Sequence, residues 1–242
     1  MSSTQDNLIL FCGGETKQFS ESAPKPLLKL NNNYELIINY IKRIQVQKFR
    51  KILLLVEKNW VNAFNQLLSD FYDVEIIAVP DSSSTFEKLV SFITKYNDHS
   101  EFSVISYPDI FISPSFWHTS KRETQKVYIS QKPLTSRFPR IFSSPFNNNV
   151  KGVSGYNSKV PANPHFIFAG KFFANTDFLR NCLETYSSDY SHPDLEIGFM
   201  DWLASKNLLI SETYIDEWII CDSARDYEAL DKFFKKDFNE HE

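Results

Sequence analysis

LILFCGGETKQFSESAPKPLL, residues 8–28, runs an apolar segment into a glycine pair and then into a lysine set between prolines. Leu8–Cys12 is apolar and long enough for a buried strand. Without Cβ atoms, Gly13 and Gly14 let backbone N–H groups approach an anion closely. Pro24 and Pro26 restrict the backbone around Lys25 and keep its ammonium out of a helix. The order suggests a phosphate-handling loop followed by a rigidly presented cation. A hairpin-like surface turn carrying a solvated lysine is the competing reading of the same letters.

Downstream, apolar strands alternate with helical periods, the pattern of a parallel sheet covered on both faces. Strands are predicted at Leu8–Cys12, Lys51–Val56, Val74–Val79 and Phe102–Ser106. Tyr34–Val46 sets Leu36, Ile37, Tyr40, Ile41 and Ile44 on one helical face, and Trp60–Phe71 does the same with Val61, Phe64, Leu67 and Leu68. A third helix starts after Ser82-Ser83-Ser84-Thr85, a source of N-caps, and carries Phe86, Leu89, Val90 and Ile93. Beyond it the pattern loosens. Short β-type runs from Lys126 to Phe142 and from Val150 to Phe173, broken by prolines and by Asn147-Asn148-Asn149, predict a smaller β layer over residues 126–173 beside a ligand cleft. Helices at Thr176–Tyr186, Asp194–Lys206 and Ala224–Phe234, with a strand near Leu208–Cys221, complete a single domain of 242 residues.

A net charge of −4 gives no general basic field, which argues against nucleic acid as a partner. Apolar residues make up 42% of the chain and aromatic ones 15%, ample for a core without staples. Cys12, Cys182 and Cys221 are widely spaced, with no CxxC, and read as buried small hydrophobes rather than metal ligands. The five histidines are scattered without paired-ligand spacing. The polar start MSSTQDN and the lack of a bilayer-length apolar run predict a cytoplasmic chain with no membrane contact.

Two apolar strands end at an acid. Phe102–Ser106 leads through Tyr107-Pro108 to Asp109, and Trp218-Ile219-Ile220-Cys221 leads to Asp222. Carboxylates at the carboxyl ends of sheet strands stand where α/β folds bind ligands, and they suit a hard cation such as Mg2+. Asp222 is equally suited to cap the last helix. The turn at Ser84-Thr85 opens a helix at the same edge, where ligand oxygens or a base edge can sit, and helix capping is its simpler role.

These pieces together resemble the nucleotidyltransferase family that joins an NTP to a phosphorylated sugar or to a related phosphate such as phosphocholine. In that family a strand leads into G-G-x-G-T-R and a P-K-P-L follows. Gly13, Gly14, Thr16 and Lys17, then Pro24, Lys25, Pro26 and Leu27, hold those places here. The third glycine has no counterpart, and Lys17 replaces an arginine, keeping the charge but losing the bidentate fork. The family's metal-holding G-D is matched by Pro108-Asp109. Phosphocholine-type cytidylyltransferases close with I-D-S or I-D-T, two residues, then D-Y or D-L, and Cys221-Asp222-Ser223 with Asp226-Tyr227 is similar. Sugar-type members carry E-K-P and then a strand with A-G. Here Ser158 replaces the glutamate, Val160 separates Lys159 from Pro161, and Ala169-Gly170 follows.

The resemblance implies an α/β fold, a Rossmann-like mixed sheet flanked by helices of the GT-A-like nucleotidyltransferase kind. It implies Mg2+-dependent transfer of NMP from an NTP to a small phosphorylated acceptor such as a sugar phosphate, with release of pyrophosphate. The closing pattern favours CTP, and such enzymes serve cell-surface polysaccharide biosynthesis. Lys25 is then the catalytic cation; Gly13, Gly14, Thr16, Lys17, Ser84 and Thr85 meet the nucleotide; Lys159 and Gly170 meet the acceptor; Asp109 and Asp222 hold Mg2+. Two other readings stay open: a catalytically degenerate nucleotide- or sugar-binding regulatory protein of the same fold, and a nucleotide-sugar glycosyltransferase. The sequence leaves the oligomeric state open, a homo-oligomer included.

Overall fold

An apolar run with no polar face belongs in the middle of a sheet covered on both sides. β1 (Asn7–Phe11) takes that place, buried at every position and parallel to β2 (Lys51–Glu57) on one side and β4 (Phe102–Ser106) on the other. The computed structural model of the chain describes residues 6–13, 23–30, 34–45, 49–81, 83–96, 101–112, 123–133, 139–143, 148–154, 166–189, 194–213, 218–221 and 223–239.

Side chains alternate across a strand, so β1 feeds two cores. Leu8, Leu10 and Cys12 join the apolar cluster under α1 (Leu36–Ile44), α2 (Val61–Leu67) and α6 (Ala224–Asn239). Ile9 and Phe11 join the opposite cluster, under α3 (Thr85–Lys95), α4 (Thr176–Asp189) and α5 (Met200–Ser205). All three cysteines are buried and unlinked, and burial pushes the thiols of Cys12 and Cys182 up, leaving them protonated and inert.

The main sheet has the order β10-β6-β9-β4-β1-β2-β3, with β3 at Val74–Val79, β6 at Val127–Pro133, β9 at Phe166–Asn175 and β10 at Leu209–Thr213. β9 runs antiparallel to both neighbours, and the remaining pairs along this order are parallel. Within residues 126–173, β6 and β9 thus continue the main sheet. β7 (Arg140–Ser143) and β8 (Val150–Ser154) hang from β9 as a side ribbon. A separate two-stranded sheet pairs β5 (Ile110–Ile112) with β11 (Trp218–Ile220).

The first four predicted strands and the helices between them lie where the periodicity puts them, with ends that shift by a few residues. The helix predicted over Trp60–Phe71 ends at Leu67, because Leu68 leaves helical geometry and its carbonyl takes the Phe71 N–H in a turn at 3.0 Å. The predicted strand near Leu208–Cys221 is two strands in different sheets. The helix predicted from Asp194 opens as a π-helical turn over Leu195–Phe199. The Asp194 carboxylate accepts from the N–H groups of Ile197 and Gly198, and the Phe199 N–H reaches back five residues to the Asp194 carbonyl at 2.9 Å. Among the described residues no helix is long and apolar enough to cross a membrane.

Leu53 and Leu54 are adjacent on β2 and serve opposite cores, both fully buried. Leu53→Ala and Leu54→Ala should each cost about 2–5 kcal/mol of unfolding free energy in urea titrations. A variant of either kind within about 0.5 kcal/mol of the parent would mean that its face of the sheet is not a packed core.

Candidate active site

Lys25 is presented as its flanking prolines dictate. Pro24 is extended, at φ −64° and ψ 147°, and Lys25–Leu27 forms a single 3₁₀ turn in which the Leu27 N–H reaches the Pro24 carbonyl at 2.9 Å. The chain is then pinned to the start of α1: Leu30 N–H donates to the Tyr34 carbonyl at 2.9 Å, and Leu36 N–H to the Leu28 carbonyl at 2.8 Å. From this fixed base the Lys25 ammonium lies 3.3 Å from Asp109 Oδ2, with the two side chains 17% and 21% exposed. The pair is shielded from bulk water yet reachable.

Asp109 stands in the turn between β4 and β5, at the carboxyl edge of the parallel strands. Its backbone carbonyl accepts the Cys221 N–H at 2.8 Å, so the end of β11 docks directly on the Asp109 turn. Immediately afterwards, Ser223 Oγ donates to Asp226 Oδ2 at 2.7 Å and accepts the Asp226 N–H at 3.3 Å, capping α6.

The glycine turn is backed by a buried cation. A Cβ on Gly13 would collide with the Lys88 ammonium, which reaches over from α3 and donates to Glu57 Oε1 at 2.7 Å. The Lys88 side chain is only 7% exposed, and an ammonium so buried needs its carboxylate partner, since an unpaired charge there would cost about 3–5 kcal/mol. Gly13 therefore makes room for Lys88 on one side. Ser84, at the head of the same helix, accepts the Glu87 N–H at 3.2 Å while its own N–H donates to Glu87 Oε2 at 2.7 Å, a complete capping box. Thr85 is the first residue of that helix.

A half-buried acid, Glu196, lies beside Tyr107. Tyr107 donates its phenol proton to Glu196 Oε1 at 2.7 Å, across from the π-helical turn. Burial, with Glu196 next to it, raises the Tyr107 phenol far above its usual range, so it stays a donor. Burial also raises the Glu196 carboxyl, helped by Asp194 and Asp109 and opposed by the Tyr107 hydrogen bond.

No known family profile matches the sequence, and no curated protein does. Solved structures do match. The inositol-1-phosphate CTP transferase from T. maritima superposes with a TM-score of 0.76 at 12% identity, covering 96% of this chain and 96% of its own. A Bacillus anthracis protein assigned as a glucose-1-phosphate thymidylyltransferase, solved with sucrose, gives 0.73 at 12% identity over 94% of each chain. HddC from Yersinia pseudotuberculosis gives 0.71 at 14% identity over 94% of this chain and 99% of its own. The chain has the sugar-phosphate nucleotidyltransferase fold.

Within the nucleotidyltransferase fold, the structure brings together Lys25 and Asp109 from positions 84 residues apart. Gly13 opens toward Lys88, and Ser84 and Thr85 head the α3 helix, where Ser84 caps. Gly170 has φ +89°, a conformation that glycine adopts without strain, and the Ile110 side chain occupies the space where its Cβ would be. Gly14, Thr16, Lys17, Lys159 and Asp222 lie outside the described residues. Among the described residues no three His, Cys, Asp or Glu side chains gather as a ready metal cage.

Sequence reasoning did not single out Lys88, Glu57, Tyr107 or Glu196. Lys88 and Glu57 carried no local signal, since each sits in an ordinary charged position of a helix or strand end. The pairing of Ser84 with Glu87 was readable as S-x-x-E, the spacing of a capping box.

The Glu196 shift has a testable sign. A carboxyl raised in the folded state gives stability that is fully present below its unfolded value and is lost as pH rises through the folded one. Glu196→Gln keeps an acceptor for Tyr107 and removes the titration. The Tm of the variant relative to the parent should therefore climb as the pH is raised above the ordinary carboxyl range of about 4. Curves that stay parallel as the pH rises from there would rule out a raised Glu196.

Proposed function

We propose that the chain is a nucleotidyltransferase that moves NMP from an NTP, CTP by preference, to a phosphorylated sugar or similar small phosphate, with Mg2+ as cofactor. The observation that carries this reading is the Lys25–Asp109 pair at 3.3 Å, fixed at the carboxyl edge of a sheet whose fold is that of sugar-phosphate nucleotidyltransferases. The closing Cys221-Asp222-Ser223 and Asp226-Tyr227 pattern and the likeness to a CTP transferase support CTP. Ala169-Gly170 with Lys159 supports a sugar phosphate acceptor. NTP supply makes the cytoplasm the natural compartment.

Asp109 fits a divalent cation: it is a hard oxygen donor, partly exposed, and the Cys221 N–H holds the chain next to Asp222 against its carbonyl. Asp109 and Asp222 would be the protein ligands, and bound Mg2+ would neutralise charge on the reacting phosphates. The protein's own part is positioning and charge. Lys25 is paired with Asp109. With an NTP bound, its ammonium turns to the α-phosphate and stabilises the charge that builds as an acceptor phosphate oxygen attacks phosphorus in line. The bond to the β-phosphate breaks and pyrophosphate leaves, held by Lys17 and the Gly13-Gly14 amides. The acceptor phosphate is already ionised at neutral pH, so no protein nucleophile or general base is needed.

One observation favours a second reading, a binding protein of this fold without catalysis. The Lys88–Glu57 pair fills the space over Gly13, on a loop that also lacks the third glycine of the family pattern. Pyrophosphate release from each NTP with Mg2+ and a panel of phosphorylated acceptors separates the two.

Lys25→Ala should keep the parent Tm and lose turnover equivalent to about 2–4 kcal/mol in the barrier, the usual cost of removing a charge-stabilising donor. Near-parental turnover would remove Lys25 from the chemistry. Asp109→Asn should shift the Mg2+ titration of activity to higher metal concentration, and an unchanged titration would take Asp109 out of the metal site.

A further inference from the structure

We propose that Trp218 is a positioning residue for the acceptor: its indole N–H, bonded to the Ala169 carbonyl, fixes the Ala169–Lys171 stretch of β9 beside the Asp109 turn. The inference deepens the transferase reading, with the acceptor at Gly170, and rests on it.

A strand inside a sheet pairs its main-chain groups with both neighbours. β9, between β4 and β6, departs from that pattern for three residues. Phe168 stands opposite Gln131 and Phe172 opposite Ile129, so Ala169, Gly170 and Lys171 face the single residue Ser130. Bulges of this kind bend a strand and re-aim what it presents, and they are common beside active sites. Each carbonyl in this one is taken by a side chain. Ser130 Oγ donates to the Lys171 carbonyl at 3.1 Å and accepts the Lys171 N–H at 3.1 Å. Ser106 Oγ donates to the Gly170 carbonyl at 3.0 Å, and Trp218 Nε1 to the Ala169 carbonyl at 3.1 Å.

Ser106 and Ser130 belong to the flanking strands, so they tie the bulge only to its own sheet. Trp218 belongs to the separate β5–β11 sheet, which starts at the Asp109 turn. There Ile220 pairs with Ile110, Ile219 with Phe111 and Trp218 with Ile112. The next residue, Cys221, gives its N–H to the Asp109 carbonyl at 2.8 Å. The Ile110 side chain meanwhile fills the space that a Cβ on Gly170 would need. Four consecutive residues, 218–221, thus hold the Ala169 carbonyl at one end and the Asp109 carbonyl at the other. An acceptor seated at Gly170 thereby keeps a fixed offset from Asp109 and its partner Lys25. The Trp218 ring packs against the apolar cluster under α1, α2 and α6, so Trp218→Phe keeps an aromatic ring there and removes the donor.

The pyrophosphate assay is run with CTP, Mg2+ and inositol 1-phosphate, glucose 1-phosphate or phosphocholine. In Trp218→Phe the KM for the acceptor that the parent uses should rise about three- to tenfold, the range that loss of one ordinary hydrogen bond produces. The KM for CTP and kcat should stay near the parent values, a split that general loosening of the fold would not give. In hydrogen–deuterium exchange followed by mass spectrometry, residues 166–175 should exchange faster by a similar factor, with residues 7–11 of the central strand unchanged.

An unchanged acceptor KM in a folded Trp218→Phe chain overturns the proposal, and so does an equal rise in the KM for CTP. Should Trp218→Phe fail to fold, benzothienylalanine placed at position 218 alone puts sulfur where the indole N–H was and keeps the ring shape. The same two results are fatal there. Loss of folding in that isostere also overturns the proposal, because the bond would then be a requirement of the fold and not of the acceptor side. If the parent releases no pyrophosphate with any acceptor, the transferase reading falls, while exchange at residues 166–175 still decides whether Trp218 fixes the bulge.

Discussion

Parallel pairing of β1 with β2 and β4 is the constraint on which the site depends. Parallel neighbours must each be reached by a crossover, so their carboxyl ends collect on one edge while helices occupy both faces. Gly13 follows β1, Glu57 ends β2, and Asp109 follows β4, all on that edge. The sheet does not make the chemistry, but it gathers the chain ends that can. Each strand can then end in whatever group the edge requires without disturbing the buried ladder beneath it.

The legible part of this arrangement was the part written in local letters. Lys25 stood out because two prolines leave it few backbone conformations, and the 3₁₀ turn over Lys25–Leu27 is what those prolines allow. Asp109 stood out because an apolar strand ran straight into an acid. The first four strands were readable because their apolar runs are short, bounded and separated by helical periods.

What escaped was decided by partners far along the chain. Lys88 looks like any charged residue in TFEKLV, and only the arrival of Glu57, 31 residues earlier, makes burial of its ammonium tolerable. Glu196 reads as a first-turn acid of a helix, whereas the π-helical widening turns it toward Tyr107, 89 residues away. Gly13 was legible as a residue that needs to be small, but the letters do not say which neighbour requires it. A phosphate and a lysine head place the same demand on a missing side chain.

The Asp109 carbonyl takes the Cys221 N–H at 2.8 Å, a bond made by two main-chain atoms from distant parts of the chain. Exchange of either side chain leaves those atoms where they are, unless a proline removes the N–H. The turn after β4 and the end of β11 can therefore vary their letters freely while keeping their meeting point, so drift at this edge alters what the edge presents without altering how it is built.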